Sequence, residues 1–177
     1  VAPINKNDFS FNSGDQTIFF DYAYITIHGR PGENGIMQGY FELINMPYST
    51  CDVLTSALTF DKFVLNRYLK SYGINVSESI LLRLGDEYDE KEIEEKIGMP
   101  CFIKPAIAPA LRKAFMESSD VMVESFLDGI EITQGIYKTK DKSVPFPITE
   151  VVTSNEFFDY NAKYNGEVDE ITPARIS

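Results

Sequence analysis

At 177 residues the chain can bury a core in one domain or in two small ones. Its 44% hydrophobic and 24% charged residues suit a soluble globular protein. A net charge of −11 argues against a nucleic-acid surface, which needs clustered Lys and Arg, but leaves room for the few local cations that a nucleotide requires. No apolar run approaches membrane-spanning length, and Val1 onward does not read as a signal peptide. Cys51 and Cys101 both lie in apolar surroundings and read as buried thiols in a reducing compartment, so a cytoplasmic enzyme or binding domain is expected.

In chain order, Phe9 and Phe11 alternate with polar residues. With the turn Asn12-Ser13-Gly14-Asp15 they predict a short edge strand paired to Ile18–Phe20. Tyr22–Ile27, rich in aromatic and β-branched residues, reads as a strand that opens into His28-Gly29-Arg30-Pro31-Gly32-Glu33-Asn34-Gly35. Three glycines and a proline in eight residues exclude regular structure, and a strand, a Gly-rich loop and a helix in succession is where α/β folds place their sites. His28 reads either as a site residue or as a surface histidine, and Glu33 either as a site acid or as one favoured by the helix dipole. The helix that follows places Ile36, Tyr40, Leu43 and Ile44 on one face.

Leu54–Lys70 carries a second helical pattern, with Phe60, Phe63, Val64 and Tyr68 on one side, Lys62 off that side, and Gly73 as its cap. Ile74–Leu84 reads as a strand and Asp86–Lys96 as a solvated, charge-dense helix ended by Gly98. Pro100-Cys101-Phe102-Ile103-Lys104-Pro105 is a short apolar run between prolines: a buried strand that carries a lysine at its end. Such a lysine either reaches solvent or offers three donors to a phosphate. An amphipathic helix with Leu111, Ala114 and Phe115 on one face follows almost at once. Val121–Leu127 is the next strand, and Asp128-Gly129 predicts a hairpin returning along Ile130–Tyr137, with Glu124 and Glu131 on either side of the turn. Phe146–Val152 is a further strand containing Glu150. The aromatic-rich stretch Asn155–Tyr164 brings Lys163 as another candidate anion contact.

Taken together, these pieces resemble the D-alanine–D-alanine ligases of the ATP-grasp superfamily over nearly the whole chain. His28–Gly35 with Gln38-Gly39 is similar to the signature HGxxGEDGxxQG. Ser56-Ala57-Leu58 with Asp61-Lys62 resembles the SAL-x-x-DK helix start, and Phe102-Ile103-Lys104-Pro105 the VKP strand. Val123-Glu124 and Gly129-Ile130-Glu131 resemble the adenine hinge, Phe158-Asp159-Tyr160 with Ala162-Lys163-Tyr164 the YDYxxKY loop, and Pro173-Ala174 the PA after it. Six motifs in order make the resemblance specific.

The resemblance implies an α+β / α/β ATP-grasp fold, with residues 1–53 the end of a preceding α/β (pre-ATP-grasp) domain and 54–177 the central nucleotide-binding domain. It implies that Lys62, Lys104 and Lys163 bind ATP phosphates. Glu124 and the Ser125, Phe126 and Leu127 backbone would hold adenine, and Glu131 the ribose. Lys163 and Tyr164 would sit on a loop closing over the site, and Glu33 and His28 would border the first D-alanine. The implied reaction is ATP-dependent formation of D-alanyl-D-alanine through an acyl phosphate, for peptidoglycan precursors, in a cytoplasmic homodimer without membrane or nucleic-acid partners. Tyr164 favours D-alanine as second substrate. Three departures stand out: no Gly-Ser-Ser loop follows Pro105, the N-terminal Gly-rich βα unit is missing, and the Mg²⁺-binding acids and Asn have no counterpart. An incomplete chain is expected, with the Mg²⁺ ligands outside it. The alternatives are a related ligase making D-Ala–D-Lac or D-Ala–D-Ser, or an inactive nucleotide-binding fragment.

Overall fold

The structure, a computed structural model, describes residues 3–101, 107–153 and 168–176. The chain packs as two units, Val1–Phe126 and Leu127–Ser177. No helix among the described residues is long and apolar enough to cross a membrane.

The first unit begins with the predicted hairpin. β1 (Phe11–Ser13) pairs antiparallel with β2 (Gln16–Ile18) in the register Phe11 to Ile18, and Gly14 turns the chain at φ 62°. Phe20 lies just beyond β2, its ring 5.7 Å from those of Phe9 and Phe11. The strand expected over Tyr22–Ile27 is reduced to one parallel bridge, Ala23 to Tyr48. Ala23 N–H donates to the Pro47 carbonyl (2.8 Å), and Ser49 N–H to the Ala23 carbonyl (3.1 Å). β-propensity describes fit to a sheet, and no described neighbour supplies the rest of a ladder. α1 (Ile36–Leu43) buries Phe41 and Gln38, with Met37, Tyr40 and Ile44 packed around Phe41, Ala23 and Met46. Ile36 and Leu43, expected on the buried face, are exposed; the helix is rotated so that Gln38 and Phe41, three apart, point inward.

The long helix expected over Leu54–Lys70 is two helices, α2 (Val53–Phe60) and α3 (Lys62–Ser71). Asp61 divides them: its extended backbone (φ −92°, ψ 102°) ends α2, and its carboxylate accepts from Val64 N–H (3.0 Å) to cap α3. Gly73 (φ 76°) follows the α3 cap. Its N–H reaches the Lys70 carbonyl and Ile74 N–H the Leu69 carbonyl, the paired bonds of a Schellman end. Asn66 and Arg67 on α3 then donate to the Ser77 and Ser79 carbonyls and anchor the start of β3 (Ser79–Arg83).

β3 pairs antiparallel with β4 (Asp120–Glu124), Leu82 opposite Val121. α4 (Glu90–Ile97), capped by Asp89, and α5 (Ile107–Glu117) complete this core. Leu82, Ile93, Ile97, Cys101, Leu111, Val121 and Val123 are buried together, with Ala114 and Phe115 against them as the α5 periodicity predicts. Of the expected Cys101–Ile103 strand, Cys101 is described; it is buried and bridges Ser125 antiparallel.

In the second unit β8 (Thr149–Thr153) is the centre of a three-stranded antiparallel sheet between β5 (Glu131–Thr133) and β9 (Val168–Ile171). β6 (Ile136–Lys138) and β7 (Ser143–Pro145) form a separate hairpin. The hairpin expected at Asp128-Gly129 does not form: β4 pairs with β3, and β5 with β8. The turn signal is local, whereas pairing is decided by burial. Val121 and Val123 on β4, paired to β3, lie in the core.

Candidate active site

The Gly-rich loop closes on itself through Glu33. Glu33 N–H donates to the Gly29 carbonyl (2.9 Å), its carboxylate accepts from Gly29 N–H (2.6 Å), and its other oxygen lies 3.3 Å from His28 Nδ1. His28 and Glu33 are therefore brought together, with the His28 side chain 99% exposed and that of Glu33 half-exposed. Two glycines are required by space. A Cβ on Gly32 would lie 2.3 Å from the Ile27 carbonyl oxygen. One on Gly35, which begins α1 at φ 88°, would meet the Val53 carbonyl at 2.9 Å.

Gln38 holds this loop to the connector after α1. Fully buried, it donates from Nε2 to the Gly32 carbonyl and to Thr50 Oγ1, each at 2.8 Å, and its Oε1 has no hydrogen-bond partner among the described residues. A cavity of about 340 Å³ opens beside it, walled by Glu33, Gln38, Thr50, Cys51, Ser56 and Phe60. Cys51 is exposed rather than buried, its Sγ 3.2 Å from the buried Ser56 Oγ. Sequence reasoning gave Gln38 no role; the available signal was a polar residue one helical step from Phe41 on the buried face.

Lys62 opens α3, exposed and without an ion pair among the described residues. Glu124 ends β4 half-buried, opposite Ser79. Ser125 N–H donates to the Glu78 carbonyl (2.8 Å), Ser125 Oγ accepts from Glu78 N–H (3.0 Å), and Phe126 N–H donates to the Pro100 carbonyl (3.3 Å). Of the three backbone N–H groups from Ser125 to Leu127, only that of Leu127 forms no hydrogen bond among the described residues. Glu131 starts β5, exposed. Lys104, Lys163 and Tyr164 lie outside the described residues. No three His, Cys, Asp or Glu side chains among the described residues converge on a metal position.

Residues 68–177 match the family described as "D-ala D-ala ligase C-terminus". The chain belongs to the D-alanine–D-alanine ligase family. A D-alanine–D-alanine ligase of Bacteroides fragilis is 57% identical over 192 aligned residues, which take in 99% of this chain and 59% of that relative. The chain thus spans less than two thirds of the relative's length. The alignment is also longer than the chain's 177 residues, so the ligase of B. fragilis carries residues with no counterpart here.

Among solved ligases, the VanG D-Ala:D-Ser ligase of Enterococcus faecalis matches with a TM-score of 0.76 at 30% identity, over 100% of this chain and 57% of its own. The D-alanine–D-alanine ligase of Bacillus anthracis complexed with ATP matches at 0.69 and 28%, over 85% of this chain and 52% of its own. The fold is that of the ATP-grasp ligases, as the six motifs imply.

Proposed function

We propose that the protein is an ATP-dependent ligase that joins two D-alanines for peptidoglycan precursors. ATP phosphorylates the carboxylate of the first D-alanine, the amine of the second attacks the acyl phosphate, and phosphate leaves. The observation that carries this is 57% identity, across 99% of the chain, to a relative named for that activity.

In this reaction the protein acts by neutralising charge and positioning. Lys62, Lys104 and Lys163 offset the charge of the transferring phosphoryl group, and the loop bearing Lys163 and Tyr164 closes over it. Glu33 and His28 border the first D-alanine; their mutual contact and the bond from Gly29 N–H support a fixed acidic edge there. Glu124 and the Ser125–Leu127 backbone hold adenine and Glu131 the ribose. The engagement of the Ser125 and Phe126 N–H groups supports Leu127 N–H as the donor to the adenine edge. Mg²⁺ accompanies the phosphates. Residues 1–53 are the end of a pre-ATP-grasp domain and 54–177 the nucleotide-grasping domain. The enzyme is a cytoplasmic homodimer.

The test is ATP consumption by the purified protein with D-alanine, D-serine or D-lactate supplied beside D-alanine. D-alanyl-D-alanine as the dominant product is expected. A dominant ester or D-Ala-D-Ser product would move the protein to the sister ligases, and saturable ATP binding without any product would make it a nucleotide-binding module.

A further inference from the structure

Gln38 is 0% exposed and has no role in the reaction above. Its Nε2 faces the Gly32 carbonyl and Thr50 Oγ1, each at 2.8 Å. A carbonyl only accepts and an amide nitrogen only donates, so both hydrogens of this nitrogen are committed, one to the Gly-rich loop and one to the connector after α1. The Thr50 hydroxyl carries the chain of bonds onward. It donates to the Cys51 carbonyl (3.3 Å), which also accepts from the buried Ser56 Oγ on α2 (3.3 Å). One buried amide thus ties the loop of Glu33, the residue after Gly32, to the start of α2. At the far end of α2, Asp61 caps the helix that Lys62 opens.

We propose that Gln38 is a positioning residue for phosphoryl transfer, setting the loop edge that borders the first D-alanine against the helix pair that carries Lys62. This role rests on the ligase reading, which gives Glu33 and Lys62 their places at the two substrates. In the transfer, a carboxylate oxygen of D-alanine bonds to the γ-phosphorus of ATP as the bond from that phosphorus to the β–γ bridging oxygen breaks, and ADP leaves with the bridging oxygen. The two substrates have to meet in line, and a misplacement of about 1 Å costs on the order of 100-fold in rate. The two bonds from Nε2 go to backbone and to Thr50, so their loss shifts one binding edge against the other and leaves the groups that meet each substrate in place.

The test is steady-state formation of D-alanyl-D-alanine by the full chain and by Thr50→Val, Thr50→Ser and Gln38→Leu. Thr50 is exposed, so its replacement keeps the fold even if Gln38→Leu does not. Thr50→Val removes the hydroxyl and keeps the shape. It is expected to lower kcat/KM for D-alanine about 10- to 100-fold, with the KM for ATP and the melting temperature unchanged, and Thr50→Ser is expected to keep the parent values. Gln38→Leu is expected to lose at least as much, and adding Thr50→Val to it to cost nothing further, since both act through one contact. Parent-like kinetics in Thr50→Val, equal losses in Thr50→Val and Thr50→Ser, an ATP KM that rises in step with the loss for D-alanine, or additive losses in the double variant would each overturn the role of Gln38 and leave the ligase reading standing. No dipeptide from the unaltered protein would overturn the ligase reading and this role together.

Discussion

Glu150 is buried in β8, and Arg175 holds both of its carboxylate oxygens, with Nε 2.9 Å from Oε2, Nη2 2.7 Å from Oε1 and the Arg175 backbone N–H 3.1 Å from Oε2. The guanidinium bonds, then the backbone bond, pull the carboxyl from its ordinary 4.5 to about 2. A carboxylate lowered in the folded state contributes stability that is fully present above 4.5 and lost as pH falls through about 2. Circular dichroism against pH is expected to show that Glu150→Gln removes this part of the acid dependence, and that Arg175→Ala moves acid unfolding to higher pH; curves that overlay the parent would contradict it. Lys62, exposed and unpaired among the described residues, is free to meet a phosphate under the proposed function. Losing one charge-assisted contact costs about 1.5–3 kcal/mol, so Lys62→Met is expected to weaken ATP binding roughly 10- to 100-fold by calorimetry, with the melting temperature unchanged. At this scale the sequence was legible for Gly32 and Gly35, which stand in the Gly-rich loop that cannot be regular structure. It was not legible for Gln38 or Cys51, because whether a side chain faces core, cavity or water depends on which way α1 is turned.

Element by element, local signals succeeded where long-range burial agreed with them. α5 carries its apolar steps in the sequence and packs on the core as they require, and Gly98 ends α4 as expected, although α4, read as solvated, buries Ile93 and Ile97. They failed where pairing was decided elsewhere. Asp128-Gly129 has turn chemistry, yet β4 is held to β3, and the Tyr22–Ile27 stretch has β-propensity but one bridge. The continuous periodicity of Leu54–Lys70 hid the break at Asp61, which only the capping role of Asp reveals. Since Asp61 both ends α2 and caps α3, Asp61→Ala is expected to cost about 0.5–2 kcal/mol by urea unfolding, and Asp61→Asn to restore most of it. Leu111→Ala leaves a hole in a core where Leu111 is 0% exposed, and a loss of about 2–5 kcal/mol is expected. Loss near zero in either alanine variant would mean that these contacts do not hold the first unit.

For the molecule as a whole, the six motifs were legible because each is a short run of residues with its own spacing, and the family match over residues 68–177 takes in the last four of them. The division into units at Phe126 and Leu127 was not legible, since it follows packing rather than motif boundaries. The central claim is that the protein activates a D-alanine carboxylate by phosphorylation before an amine attacks it. The decisive measurement supplies ATP with D-alanine labelled with oxygen-18 in its carboxylate and analyses the products by mass spectrometry. Transfer through an acyl phosphate leaves one carboxylate oxygen on the released inorganic phosphate, so labelled phosphate together with D-alanyl-D-alanine is expected. Label in AMP, unlabelled phosphate, or no ATP consumption in the presence of D-alanine would contradict the claim.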